Sequence, residues 1–506
     1  MAIQSWLITI ASEASSLFNP ILLLPIIFLI LKHFKSYFLS KSTLPLPPGP
    51  SPWPILGNIP HMGKKPHITL ANFAQTYGPL MSLRLGTQIM IIGSSATAAE
   101  EILKTHDRIL SARYVPHAVP AKSPKFNHLS LGWALECNDR WKNLRTICRS
   151  ELFSGKAMES QACLRERKAM DMVNFLGAKE GKEVKVGELV FATVFSMLSN
   201  VLISRDLIIL EKQSVDGGMK GLLGKYVDFI SAPNLPDFYP ILRALDLQGL
   251  NKKAKEAFMR MCAMWEPIIE DRREGRKGNA SGQKDFLDAL IDNSCTNDQI
   301  NYLLQELFAG GAETSALAIE WVMAELIKNP ESMKKVREEM TREIKQDLLK
   351  ESQLPHLHYL QACFKETLRL HPSAPFMLPH RAPDSCLVMN YTVPKNSQVL
   401  VNVWAIGRDP MIWEDPLNFK PERFLNSTLD FKGTDFEFLT FGAGRRICPG
   451  LPMAAKLVPL IVASLIHYFD WSLPHGNDPI KLDMNEKVAL TLQKEHPLVL
   501  IPKLKK

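Results

Sequence analysis

Phe441-Gly442-Ala443-Gly444-Arg445-Arg446-Ile447-Cys448-Pro449-Gly450 is the stretch from which the rest of the chain is read. Its glycines let the backbone turn tightly and approach a flat ring system that side chains would obstruct. Amides left unpaired in such a loop point at the Cys448 sulfur, stabilise negative charge there and tune a metal bound to it. Arg446, two residues before the cysteine, is placed to make a charge-assisted hydrogen bond to a carboxylate. The apolar run 457–466 predicts a helix whose positive N-terminal end favours a thiolate. Together these features suit a thiolate bound to the iron of a flat macrocycle. The competing reading is a buried free cysteine in a glycine-rich turn.

The loop has the form Phe-x-x-Gly-x-Arg-x-Cys-x-Gly and resembles the haem-binding loop of the cytochrome P450 superfamily, where a cysteine thiolate holds the iron. The resemblance implies that Cys448 is the axial ligand of haem b and that Phe441 and Arg446 contact the cofactor, Arg446 through a propionate. Other pieces follow in the family's order. Glu366 and Arg369, in Lys365-Glu366-Thr367-Leu368-Arg369, lie three apart on one helical face, and Arg423 stands in Pro421-Glu422-Arg423-Phe424. By spacing alone the Glu and Arg are a solvated pair of little energetic value; the family joins all three in a buried structural charge cluster. Trp141 and Arg145, one helical turn apart, match the family's Trp-x-x-x-Arg helix facing a propionate, and His380 stands where relatives place another propionate partner. Read without the family, these are a packed aromatic, a surface cation and a structural histidine.

Segment 299–328 carries apolar residues at helical spacing and ends at Asn329-Pro330, which predicts one long helix. In its middle lies Ala309-Gly310-Gly311-Ala312-Glu313-Thr314-Ser315, where each glycine weakens the helix by roughly 1 kcal/mol relative to alanine. The resemblance supplies a reason: a local widening beside the iron, with Thr314 and Glu313 as catalytic residues that deliver protons during dioxygen reduction. The alternative is that the glycines permit close packing while Thr314 bonds back to its own helix.

Residues 17–31 are mostly apolar, and a patch at 6–10 extends them, enough to anchor in a bilayer with tilt. Lys32, Lys35 and Lys41 follow, whereas the N-terminal flank has no Lys or Arg, so the positive-inside rule leaves the body cytosolic. A cleaved secretory signal is the rival, but the basic n-region and small-residue cleavage site it needs are missing. The expected organisation is therefore a signal anchor at 1–40, a Pro-rich hinge at 41–60 and a catalytic domain at 61–506, on the endoplasmic reticulum membrane. Asn279, Asn390 and Asn426 head formal glycosylation sequons that stay unmodified in the cytosol.

The chain of 506 residues, 46% hydrophobic and 22% charged, can bury a large core. Its 8 cysteines fall at irregular spacings without Cys-x-x-Cys, neither a disulfide framework nor a zinc site. The net charge of +8 comes without an aromatic-interleaved basic stripe, which argues against nucleic acid. It suits an acidic protein partner or anionic lipid, and Arg140, Lys142, Arg445 and Lys456 fall on the Cys448 side in the family's layout, where an acidic reductase docks; ordinary solvation accounts for them equally well. The fold class expected is mainly α with small β-sheets, namely the P450 fold with a long central helix. Strands are expected at 81–85, 89–93 and 397–403, and an exposed loop at 272–284. Without a Walker loop, a Gly-x-Gly-x-x-Gly after a strand, or His-Glu-x-x-His, electrons must come from elsewhere. The family implies NADPH-cytochrome P450 reductase, with cytochrome b5 as a second donor.

The resemblance runs from the anchor to Leu490-Thr491-Leu492-Gln493-Lys494 and is closest in kind to microsomal plant enzymes of specialised metabolism, the alkaloid branch above the terpenoid one. It implies hydroxylation of a small lipophilic alkaloid, with phenol coupling, skeletal rearrangement or terpenoid hydroxylation as alternatives. Substrate contacts are expected from 111–131, 304–312, 375–378 and 488–491. Two readings of other classes stand beside it: a haem-binding sensor or carrier, and a secreted glycoprotein with an unrelated cysteine loop.

Overall fold

Apolar residues cluster on one face from Leu80 to Gly93, and a tight turn at Gly86 folds them into a hairpin of β1 (Leu80–Leu85) and β2 (Gln88–Gly93). The computed structural model describes residues 44–208, 218–275, 284–344 and 348–505; the expected anchor at 1–40 lies outside them. Residues 44–46 and Asn390–Thr392 form a small unit of their own, in which the Thr392 N–H donates to the Pro45 carbonyl at 2.9 Å.

In the main unit the hairpin grows into a five-stranded sheet with β3 (Ala112–Arg113), β4 (His380–Arg381) and β5 (Gln398–Val401), in the order β1-β2-β5-β4-β3. The β2–β5 pair is parallel and the others antiparallel. The register sets Arg113 directly opposite His380. Cross-strand partners share one face of a sheet, so residues 267 positions apart by number become neighbours.

Helices make up most of the remainder. Helix α1 (Asp139–Ile147) is capped by the Asn138 side chain, which accepts from the Trp141 N–H at 3.0 Å. Helix α2 (Val186–Ile203) and helix α5 (Leu451–Tyr468) are long and apolar enough to cross a membrane, yet 83% and 61% of their apolar windows are buried within the protein. A helix apolar on all sides and enclosed by protein is a core helix.

Helix α3 (Asn297–Lys328) passes through the middle of this core. It starts two residues earlier than the apolar period predicts because Thr296 and Gln299 form a capping box, satisfying N–H groups the first turn leaves open. It stops at Asn329 because Pro330 pushes the preceding residue out of helical geometry. On its core side Phe308 stacks on Phe195 and Trp265, with ring centroids 4.7 and 5.4 Å apart. Helix α4 (His358–Leu370) completes the framework. The loop expected at 272–284 is helical where it starts: the helix Leu250–Gly275 includes Arg272, whose guanidinium pairs with Asp285 at 3.0 Å and Asp288 at 2.8 Å, and 276–283 lie outside the described residues.

Candidate active site

Helix α5 is capped by Gly450, and the backbone amides of Gly450 and Leu451 face the Cys448 sulfur and favour its thiolate. Burial pushes the Cys448 thiol up, while the Gly450 amide, the Arg145 charge and the Leu451 amide act against that rise. The Cys448 N–H donates to the Phe441 carbonyl at 2.9 Å, and Arg145 Nη2 donates to the Ile447 carbonyl at 2.6 Å. The loop is thus fastened on both sides of the sulfur. Gly444 has φ +65°, and a Cβ there would collide with the Leu103 carbonyl, so no other residue fits its backbone.

Cys448 opens into a cavity of about 370 Å³, and Phe441, Arg446, Glu313 and Thr314 line it too. The paired glycines of α3 have different reasons to be there. A Cβ on Gly310 would meet nothing within 4 Å, because that position fronts the cavity; one on Gly311 would come within 2.9 Å of Leu198 Cδ1 on α2. The helix is unbroken through both, without an interruption where the widening was expected. The Thr314 hydroxyl donates to the Gly310 carbonyl at 2.5 Å, the back-bonding arrangement, which leaves its oxygen lone pairs toward other donors. Glu313 accepts from Thr491 Oγ1 at 3.1 Å and Gln493 Nε2 at 2.8 Å. Burial pushes its carboxyl up and those two bonds partly offset the rise.

On another side stand Arg113, Arg145, Arg446 and His380, all lining the cavity. Arg446 donates to the carbonyls of Ser111 at 2.9 Å and Ala134 at 2.6 Å. Arg113 donates to those of Gly132 at 3.2 Å and Leu378 at 2.7 Å. The His380 ring bonds the Leu110 carbonyl through Nδ1 at 2.6 Å. Trp141 acts here through its ring face: the Arg446 guanidinium lies 4.7 Å and that of Arg145 5.5 Å from its centroid, while its indole N–H donates to the Leu131 carbonyl at 2.8 Å. Among the described residues no carboxylate forms an ion pair with any of the three arginines. Burial, and then the charge of Arg446, hold Arg113 well below its ordinary value; burial and then Arg113 do the same to His380.

Glu366, Arg369 and Arg423 come together away from the cavity. Arg369 forks onto Glu366 at 2.8 and 2.7 Å, Arg423 Nε adds a bond at 3.0 Å and the Lys420 amide another at 2.8 Å. Trp413 lies beneath both guanidinium groups. Arg113 falls in the expected contact segment 111–131 but was not singled out, because its two-residue strand has no period to detect. Glu306 falls in the expected contact segment 304–312 and was likewise not singled out, although its signal was present: a carboxylate between the apolar residues Leu304 and Leu307 of a core helix. The walls that Tyr226, Val227 and Ile230 contribute to the cavity were not foreseen either.

The family model for cytochrome P450 matches residues 47–500. The chain belongs to the cytochrome P450 family. This P450 is 48% identical to a corytuberine synthase of Coptis japonica, covering 90% of this chain and 94% of the relative. It is 47% identical to (S)-N-methylcoclaurine 3'-hydroxylase isozyme 1 of Papaver somniferum, covering 92% and 96%, and 49% identical to a probable isozyme 2 of that enzyme from Coptis japonica, covering 92% and 95%. It is therefore a monooxygenase that uses haem b, electrons originating from NADPH and delivered by a reductase, and a small substrate.

The residues present fit the haem. A macrocycle with two carboxylate side chains would give Arg113, Arg145 and Arg446 anions to meet, and its iron would suit a sulfur whose thiolate two nearby backbone amides favour.

Proposed function

We propose that this P450 hydroxylates a small lipophilic plant alkaloid, inserting one atom of O2 while the other leaves as water and NADPH is oxidised to NADP+. The observation that carries the substrate class is the 47% identity, over 92% of the chain, to an enzyme named N-methylcoclaurine 3'-hydroxylase. The cavity is compatible with such a molecule: Leu198, Leu202, Val227, Ile230 and Leu378 give it apolar walls, and few polar groups interrupt them.

Cys448 would hold the iron, with Phe441 beside it, and Arg446, Arg145, Arg113 and His380 would meet the propionates, Trp141 steadying the two guanidinium groups stacked on it. The haem, when bound, supplies the reductive activation of dioxygen. Burial pushes the Glu313 carboxyl up, which suits a group that passes protons on, and Thr491 and Gln493 fix its direction. Thr314, the next residue, hands protons into the cavity through its hydroxyl. Glu366, Arg369 and Arg423 serve the framework. A second reading, oxidative coupling within a related substrate, is favoured by one observation: the relative at 48% identity is named a synthase rather than a hydroxylase.

The electron donor in this reading is NADPH-cytochrome P450 reductase, with cytochrome b5 as a further donor. Arg140, Lys142 and Arg445 are exposed. Lys142 and Arg445 now pair with Asp139 and Asp107, weak surface pairs that a partner's acids can replace. Segment 1–40, whose apolar run 17–31 is followed by Lys32, Lys35 and Lys41, anchors the protein in the endoplasmic reticulum membrane with the catalytic domain cytosolic, and 41–60 is the hinge. Lipid is thus a partner as well.

The test is turnover of membrane-bound protein with the reductase, NADPH and an alkaloid panel, products resolved by mass. Gain of one oxygen atom is expected; loss of two hydrogens selects coupling, and turnover of terpenoid alcohols alone refutes the substrate class. Deleting the chain before Pro45 is expected to release most of the protein from membranes with its haem spectrum intact.

A further inference from the structure

Glu306 is a second carboxylate on the cavity wall, and the reaction described above gives it nothing to do. Its Oε1 accepts from the Ser130 hydroxyl, and its Oε2 accepts from the N–H groups of Leu131 at 2.6 Å and Gly132 at 3.1 Å. All these donors are neutral. Among the described residues no Lys, Arg or His forms an ion pair with it, and burial pushes its carboxyl up. Glu366 and Glu351, similarly enclosed, are each met by cations. Arg446 acts on Glu306 through its charge but makes no ion pair with it, and an enclosed carboxylate without a cation in contact is an expensive arrangement that an incoming cation relieves. Glu306 precedes Thr314 by eight residues, which on an α-helix is a rise of about 12 Å and a little over two turns. The two side chains therefore lie toward the same side of α3, separated by roughly the length of a two- or three-ring molecule. Trp133 and Tyr226 also line this cavity, and aromatic surface favours an N-alkylated cation.

We infer that Glu306 is the counter-ion of the substrate: its carboxylate receives the protonated amine of a nitrogen base, so that a ring remote from the nitrogen is presented at the Thr314 and Cys448 end. This rests on the alkaloid reading and adds the group that selects bases over neutral molecules and sets which ring is oxidised. Glu313 fits the task less well. It adjoins Thr314, so an amine bound there would hold its own nitrogen, rather than a distant ring, at the reacting end.

The rival is a purely structural Glu306 that fastens the Ser130–Gly132 turn to α3. The two are separated in the holoenzyme by titrating the haem absorption change with an N-methylated benzylisoquinoline and with its N-formyl analogue, which has the same rings and no charge. In the wild type the amine is expected to bind more tightly than the amide. Glu306→Gln is expected to weaken the amine by about ten- to a hundred-fold and the amide by much less, and Glu306→Asp to restore part of the preference. Ser130→Ala, which loosens the turn but keeps the charge, is expected to retain it. Equal weakening of both ligands by Glu306→Gln, or loss of the preference in Glu313→Gln instead, overturns the assignment. Should Glu306→Gln not retain haem, Glu306→Asp and Ser130→Ala decide: the preference for the amine persists in both, or the proposal fails. If neither ligand binds a wild type with intact haem, the alkaloid reading falls and takes this inference with it; if both bind equally well, only this inference falls.

Discussion

Thr314→Ala separates chemistry from packing at the centre of α3. The substitution removes the hydroxyl that donates to the Gly310 carbonyl at 2.5 Å, a bond worth about 0.5–1.5 kcal/mol. It also replaces a β-branched residue by the best helix former, which returns up to about 0.7 kcal/mol. The two effects nearly cancel, so stability is expected to change by less than about 1 kcal/mol, or about 2 °C in melting temperature. The Gly310 backbone keeps its place, since that position fronts open space rather than a packed neighbour. Substrate binding and haem content are expected to be retained. Proton delivery is what fails: a positioned acid or base contributes about a hundred- to ten-thousand-fold to the step it serves, so NADPH oxidation continues while its electrons emerge as hydrogen peroxide. The assay is product formed per NADPH consumed, in wild type, Thr314→Ala and Thr314→Ser, with Ser close to wild type. An unchanged ratio in Thr314→Ala would refute the role and leave Thr314 as a residue that merely closes its own helical turn.

Two further perturbations test the framework. Glu366→Gln removes the anion shared by the fully buried Arg369 and the largely buried Arg423; stranding two cations is expected to cost about 3–5 kcal/mol, read as lost haem content and a lower denaturation midpoint, and a variant with native midpoint and haem would contradict it. At Glu351, burial opposes ionisation, but the fork from Arg165 at 2.5 and 2.7 Å and the bond from Lys456 at 2.9 Å outweigh it and hold the carboxyl below its ordinary 4.5. A depressed native value means stability that is fully present above pH 4.5 and lost as the pH falls through the lower native value; Glu351→Gln is expected to flatten that acid limb in denaturation curves, and an unaltered limb would show that other groups carry it.

What the sequence disclosed and what it withheld divide along the range of the contacts involved. The Cys448 loop was legible because its parts are adjacent: the glycine that must take φ +65°, the amides of Gly450 and Leu451, and the start of α5 all fall within eight residues of one another. The end of α3 was legible because Pro330 acts on the residue before it, and its start was missed by two residues because a capping box outweighs an apolar period. Arg113 lay in a segment expected at the cavity, but its place beside His380 was beyond such reasoning. It reaches the cavity only because β3 pairs with β4, and that register is set by strands hundreds of residues apart. Arg272 was misread for the same reason, since a charged stretch stays helical when Asp285 and Asp288 fold back onto it.

The paired glycines carry the argument one step further. Gly310 and Gly311 look equivalent in sequence, yet only Gly311 is required by packing, against Leu198; Gly310 keeps side-chain atoms out of the space between α3 and the cysteine. A methyl group at Gly311 must displace a side chain of α2, so its effect falls on stability. A methyl group at Gly310 enters the cavity, so its effect falls on which molecules fit beside Thr314. The same reasoning applies to the charges: Glu366 and Glu351 meet their cations within the protein, whereas among the described residues Arg113, Arg145, Arg446 and Glu306 form no ion pair, Arg446 and Glu306 acting on each other only through charge at a distance. In the reading proposed above, the three arginines facing the cavity meet an anionic cofactor edge, and of the two carboxylates there Glu313 serves proton delivery while Glu306 meets the cationic substrate.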